Sequence, residues 1–326
     1  SIFNFIFSVS IFFTLYRFRL SVHYCFFYAF LVSIIAYPSS GTPYVDHQSS
    51  FLCVMAVFCF ILALKTNLKK YWLILPIILG IAFLTKQAPT GHFILIIAFL
   101  SSIYFVFHFD KKKIIFCIYG LVIFFLIFFI TITITEIPLK SFLQQYILYP
   151  LSLGESRMEL FFPLELKTIF LRFKLHHLAS LLMIVVCIKN VSRNYKYLIN
   201  GEFLIIIALV SSTFALIVHQ LMTLNGMFIF FTIPILSGFS HIYCLKYFEN
   251  KKYITYLLIV LSVCSTIHYW YKYVDTRDFV DLSKVNLKNA IDAKALDNKL
   301  SGLKWITPLY PENPKEEIFK LREVIN

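Results

Sequence analysis

The chain is short of charge. Only 14% of its 326 residues are Asp, Glu, Lys or Arg, against about 25% in a soluble globular domain. Acidic groups are the scarcer kind, 17 against 30 Lys and Arg. That poverty excludes a single water-soluble core, because 59% of the residues are apolar and would have nowhere to go. Paired cysteines are also missing: the seven cysteines stand singly in apolar runs and none forms a C-x-x-C, so they read as small buried hydrophobes rather than disulfide or zinc ligands. No P-loop, G-x-G-x-x-G, H-E-x-x-H or G-x-S-x-G occurs, which removes the usual support for ATP-driven transport, zinc proteolysis and serine hydrolysis. No basic segment precedes the apolar residues 1–16, so they do not read as a secretory signal.

What is present is hydrophobic length. Aromatics make up 18% of the chain, Phe alone contributes 37 residues, and the mean hydropathy is +0.78. Ten apolar runs follow one another, at about 1–16, 22–38, 50–64, 71–85, 91–108, 114–134, 171–188, 199–219, 223–245 and 253–271. In lipid each run must close its hydrogen bonds within itself, so helices are expected despite the β-branched content. The expected fold is an all-α polytopic membrane protein of about ten transmembrane helices, residues 1–273. Residues 274–326 break in composition, with nine acidic and nine basic side chains between Asp275 and Asn326, and are expected to begin a small soluble domain. Within it "NLKNAIDAKALDNKLSGLKWITP" has helical patterning and "KEEIFKLREVIN" opens after Pro314 like a helix start. Both ends read as cut, so the chain is expected to be a piece of a longer protein.

The net charge of +13 lies in the first 274 residues. It does not call for a nucleic-acid partner. Fourteen basic residues fall in five short loops: Arg17 and Arg19; Lys65, Lys69 and Lys70; Lys111 to Lys113; Lys189, Arg193 and Lys196; Lys246, Lys251 and Lys252. The intervening loops are poorer in positive charge, and the alternation holds throughout. The positive-inside rule puts the basic loops in the cytoplasm. The outer set is then 39–49, 86–90, 135–170, 220–222 and everything from about 273 onward.

Chemistry is sought among the few polar groups of the outer set. The turn "YPSSGTPYVDHQSS" carries Asp46, His47 and Gln48; Asp46 either serves a site, a metal included, or caps the next helix. In "GIAFLTKQAPTGHF", Lys86 stands at an outer helix end beside Gln87, where it either snorkels or meets a phosphate. The loop 135–170 holds Gln144, Gln145, Tyr146 and Arg157 in an apolar setting and suits a helix lying along the membrane. His219 and Gln220 end one span just before Asn225 and Gly226 begin the next.

The stretches "PYVDHQSSFLCVMAVFCFILAL" and "LGIAFLTKQAPTGHF" resemble the integral-membrane glycosyltransferases of the GT-C fold. The likeness is to the branch with the dolichyl-phosphate-mannose:protein mannosyltransferases, the aminoarabinose transferase of lipid A and the RgtA/B/C/D-like domain. There an acidic residue near an early span is followed one hairpin later by a "GLAFLTKG"-like stretch; here Gln87 stands where Gly is common. The resemblance implies an enzyme that moves a sugar from a polyprenyl-phosphate-linked donor to a glycan, lipid or protein acceptor at the outer face of a bacterial inner (plasma) membrane. Asp46 then takes the family's second acidic position, with the main base expected before Ser1. Lys86 and Arg157 meet the donor phosphate, while His47, Gln48, Gln87, Gln145, His219 and Gln220 contact substrate. No cofactor is implied with certainty; a divalent metal at Asp46 stays open. Two other readings also stay open: a secondary transporter or flippase, and an O-antigen polymerase or ligase, for which a large outer loop with paired arginines is expected.

Overall fold

Where a run of apolar residues is long, the backbone closes its own hydrogen bonds, and here each expected run forms a helix, the one with Pro76 included. The computed structural model describes residues 2–36, 45–152, 166–223, 229–272, 290–295 and 298–305. Among them ten apolar helices coincide with the ten runs: α1 (Ile2–Arg17), α2 (Val22–Ile35), α3 (Val45–Thr66), α4 (Lys69–Thr85), α5 (Gln87–Phe107), α6 (Lys111–Ile134), and later α9 (Lys174–Arg193), α10 (Gly201–Thr223), α11 (Thr232–Tyr247) and α12 (Lys251–Trp270). Between them lie two short helices, α7 (Leu139–Phe142), which runs on into a π turn at Leu143–Leu148, and α8 (Leu166–Arg172). Seven of the apolar helices are long and apolar enough to cross a membrane, α11 when counted with the 3-10 turn Ile229–Phe231 that leads into it; α1, α2 and α4 are shorter, with 16, 14 and 17 residues. The protein is therefore an all-α polytopic membrane protein.

Starts and stops follow local chemistry. Asp110 caps α6, accepting from the backbone N–H groups of Lys112 (3.0 Å) and Lys113 (3.4 Å). The break between α4 and α5 comes from Pro89, which disfavours a helical Ala88; Lys86 and Ala88 have extended backbones. Residues assigned to two expected outer turns, 39–49 and 220–222, are in part helical. Asp46, His47 and Gln48 lie in the first turn of α3, and α10 runs past Gln220 to Thr223.

At the centre stand α3 and α11, with 72% and 83% of their span windows buried. Helix α3 packs on α1, α4, α5 and α10, and α11 on α2, α9 and α12. Aromatic rings fill the interior: Phe7 stacks on Phe51 at 4.5 Å and meets Phe231 edge-on at 5.4 Å. In lipid no hydrophobic gain separates helix from helix, so close packing and polar ties hold the bundle. Asn4 donates to the Ser33 carbonyl (3.0 Å), Ser240 to the Ala179 carbonyl (2.5 Å), and Tyr28 pairs with His241 (3.3 Å).

Contacts divide the chain into two units, Ser1–Asp275 and Thr276–Asn326. In the second, the helical patterning expected around residues 290–305 is not realised. A two-residue antiparallel pair, β1 (Ile291–Asp292) with β2 (Lys304–Trp305), encloses short 3-10 turns. The Asp292 carboxylate accepts the Lys294 N–H (3.0 Å), the local bond by which Asp diverts a backbone from helix. Gly302, at φ +88°, turns the chain back. The "KEEIFKLREVIN" segment lies outside the described residues.

Candidate functional site

Asp46 is the only acidic residue in the first turn of α3, and that helix presents one polar face: Asp46, Ser49 and Cys53 fall at i, i+3 and i+7. Opposite stands the α4–α5 break. The extended backbone at Lys86 frees its side chain from either helix and turns it toward α3, where its ammonium forms an ion pair with Asp46 Oδ1. His219, near the C-terminal end of α10, places Nε2 3.2 Å from the same oxygen. An ionised carboxylate only accepts, so that nitrogen carries the proton. Asp46 thus ties α3 to two side chains that lie 40 and 173 residues further along the sequence.

Around the pair a hydroxyl chain fixes the frame. Thr90 donates to the Lys86 carbonyl (2.8 Å), leaving Ser49 as the donor to Thr90 Oγ1 (2.9 Å), and the Cys53 thiol also donates to Thr90 (3.4 Å). These bonds clamp the polar face of α3 to the first turn of α5. The site is graded in access: the His219 side chain is 1% exposed, Asp46 10% and Lys86 24%. Lys86 is the member that meets the surroundings.

The segment after α6 closes over the same corner. Gln87 donates to the Tyr146 carbonyl (2.5 Å), and the Tyr146 hydroxyl donates to the Phe83 carbonyl (2.5 Å). Tyr146 also stacks on Phe142 at 5.0 Å. Burial pushes its phenol up to about 12, so it remains a hydrogen-bond donor at neutral pH.

The structure brings Asp46, Lys86 and His219 into direct contact, with Gln87 alongside. His47 is buried, its ring 6.2 Å from Phe51, and Gln220 is buried next to His219. Gln48 is half-buried and Gln145 is exposed; neither shares in the hydrogen bonds described above. Arg157 lies outside the described residues, as do Asn225 and Gly226. The Asp46 carboxylate, in the first turn of α3, reaches across to the α4–α5 break and to α10. A divalent cation does not suit this donor set. The Lys86 ammonium already occupies the carboxylate, and no group of three His, Cys, Asp or Glu side chains among the described residues converges on a metal position.

Sequence reasoning passed over Ser49, Thr90 and His92. His92 is half-buried near this site, close enough to interact electrostatically with His219, and its Nδ1 has no hydrogen-bond partner among the described residues. A signal was there to read: His92 lies six positions after Lys86 and closes the polar segment KQAPTGH, just before an apolar run. No protein-family model, curated protein or solved structure matches the chain.

Proposed function

We propose that the chain is a glycosyltransferase that takes a sugar from a polyprenyl-phosphate-linked donor at the membrane face where α3 and α5 begin. One observation carries the reading: a carboxylate from α3, an ammonium from the α4–α5 break and an imidazole from α10 meet at one end of an otherwise apolar bundle. That end is opposite the basic loops, so it is the outer face by the positive-inside rule.

Such a transfer asks for two things. As the bond between the sugar and the lipid phosphate breaks, the anomeric carbon gains positive character and the leaving phosphate gains negative charge. A fixed cation stabilises that charge where it develops. The acceptor hydroxyl loses its proton as it attacks, and a positioned carboxylate takes it. Lys86, the most accessible of the three groups, is suited to the phosphate. While it is paired with Asp46, each masks the other. An arriving phosphate draws the ammonium away, and Asp46, held in place by His219, becomes free to orient the acceptor or accept its proton. Donor binding would in this way unmask the carboxylate. The products are the glycosylated acceptor and the polyprenyl phosphate, and no nucleotide is needed because the donor carries its own activation.

The test uses the full chain in lipid nanodiscs with radiolabelled polyprenyl-phosphate sugars and a membrane extract as acceptor. Label should move to the acceptor as polyprenyl phosphate is released. Lys86→Ala should lower the rate roughly 100-fold, as loss of one donor to a developing oxyanion does. Absence of transfer from every donor, or a full rate in both Lys86→Ala and Asp46→Asn, would sink the proposal.

A further inference from the structure

At the end of the bundle away from Asp46, a concavity opens. It measures about 660 Å³, within the roughly 300–1,000 Å³ of small-molecule sites. Its wall takes Arg19 from the α1–α2 link, Lys65 from the end of α3, Glu202 from the start of α10 and Lys246 from the end of α11. Three cations thus face one carboxylate. That carboxylate is already satisfied: Glu202 accepts from Lys246 Nζ at 2.7 Å and from the Tyr247 hydroxyl at 2.7 Å. Arg19 and Lys65 are left with no carboxylate partner among the described residues, and Lys65 lies 5.5 Å over the ring of Phe18. The cleft is therefore a positively charged mouth with an apolar wall, placed where the basic loops meet the membrane boundary.

We infer that this cleft binds the phosphate of a phosphate ester, with Arg19 supplying a planar fork and Lys65 a point charge. The preference for phosphate over a single hydrogen-bonding group follows from two uncompensated cations at one opening. The apolar wall accommodates the rest of an amphiphile such as an anionic lipid. A soluble phosphate ester carries the same recognised group. The proposal does not depend on the reaction assigned to Asp46 and Lys86.

Arg19 offers a clean variant. The Arg19 N–H bonds the Tyr16 carbonyl (2.9 Å) and the Leu20 N–H the Leu15 carbonyl (3.3 Å), which closes α1 in a Schellman turn with Arg19 at φ +66°. Glycine is the residue favoured at that position. Arg19→Gly therefore removes the guanidinium while easing the backbone, and Lys65→Gln keeps most of the stem that covers Phe18.

The full chain in mild detergent is titrated with phosphatidylglycerol or phosphatidylcholine and bound lipid is counted by native mass spectrometry. A parallel arm measures the thermal shift with glycerol 1-phosphate. Retention of phosphatidylglycerol over phosphatidylcholine supports the site with a lipid as ligand. A shift with glycerol 1-phosphate alone supports it with a soluble ester. In either case Arg19→Gly and Lys65→Gln should each weaken binding about fivefold, the worth of one cation near an anionic surface. Lys140→Ala, outside the cleft, should leave it unchanged. Equal retention of the two lipids with no response to glycerol 1-phosphate overturns the inference. So does unchanged binding in the Arg19→Gly, Lys65→Gln double variant.

Discussion

Lys86 and Asp46 illustrate how little a partly buried ion pair says about stability until one member is removed. Two charges taken from water lose hydration that their attraction only partly restores. Breaking a fully buried pair costs about 3–5 kcal/mol because the survivor is left uncompensated; Lys86 is 24% exposed, so the loss here should fall toward or below the lower end. Asp46→Asn and Lys86→Met should each lower the melting temperature in detergent, while the double variant recovers part of the loss. A double-mutant cycle with simple additivity would show that the two side chains are not coupled. The same double variant should remain inactive in sugar transfer, which separates the site's chemistry from its packing. Tyr146 gives a smaller expectation. Tyr146→Phe deletes the bond to the Phe83 carbonyl and should cost about 1 kcal/mol. Hydrogen exchange should quicken through Leu139–Leu148, and unchanged protection there would mean that this bond does not hold the segment.

At the scale of elements, the α4–α6 contact shows why small residues sit where helices touch in lipid. Helix α6 has only 6% of its span window buried and packs chiefly on α4. The approach is close because Gly120 and Gly80 lack side chains. A Cβ at Gly120 would fall on the Leu73 carbonyl oxygen, and one at Gly80 on the Phe124 ring. The first neighbour is backbone and cannot move aside; the second is a side chain with some freedom. Gly120→Ala should therefore destabilise by about 1–3 kcal/mol as an overpacked contact does, and more than Gly80→Ala. Gly91, with nothing within 4 Å of a Cβ, is a contrast: Gly91→Ala should be neutral or slightly stabilising by helix propensity. Thermal unfolding of the three variants in one detergent checks the order, and a Gly120→Ala protein as stable as the parent would refute the close approach.

At the scale of the molecule, seven span-length helices and three shorter ones among the described residues alternate between basic and charge-poor ends. Single cysteines placed at Lys112 and Lys140 in a cysteine-free chain should react with an impermeant thiol reagent from opposite sides of the membrane, Lys112 from the cytoplasm. Labelling of both from one side would reverse or break the orientation. Helix positions were legible because lipid leaves a long apolar run one economical backbone conformation, so each run could be read without its neighbours. Helix ends were less so: Asp46 and Gln220 looked like turn residues, yet packing carries α3 and α10 through them. In the second unit, the pattern at 290–305 matched a helix, but a local Asp292 bond and a left-handed Gly302 prevailed.

The amino-acid sequence alone determined that this is a helical membrane protein and which ends carry positive charge, because both are properties of composition taken a few residues at a time. It also marked Asp46, Lys86 and His219 as polar groups out of place in apolar surroundings. Only the tertiary structure decided that these three meet at one carboxylate oxygen, that Ser49 and Thr90 lock the frame around them, and that Arg19 and Lys65 flank a shared cleft at the other end. The physical reason is distance along the chain. A contact between residues 40 or 173 positions apart depends on how whole helices pack, and no local pattern of hydrophobicity or charge encodes it.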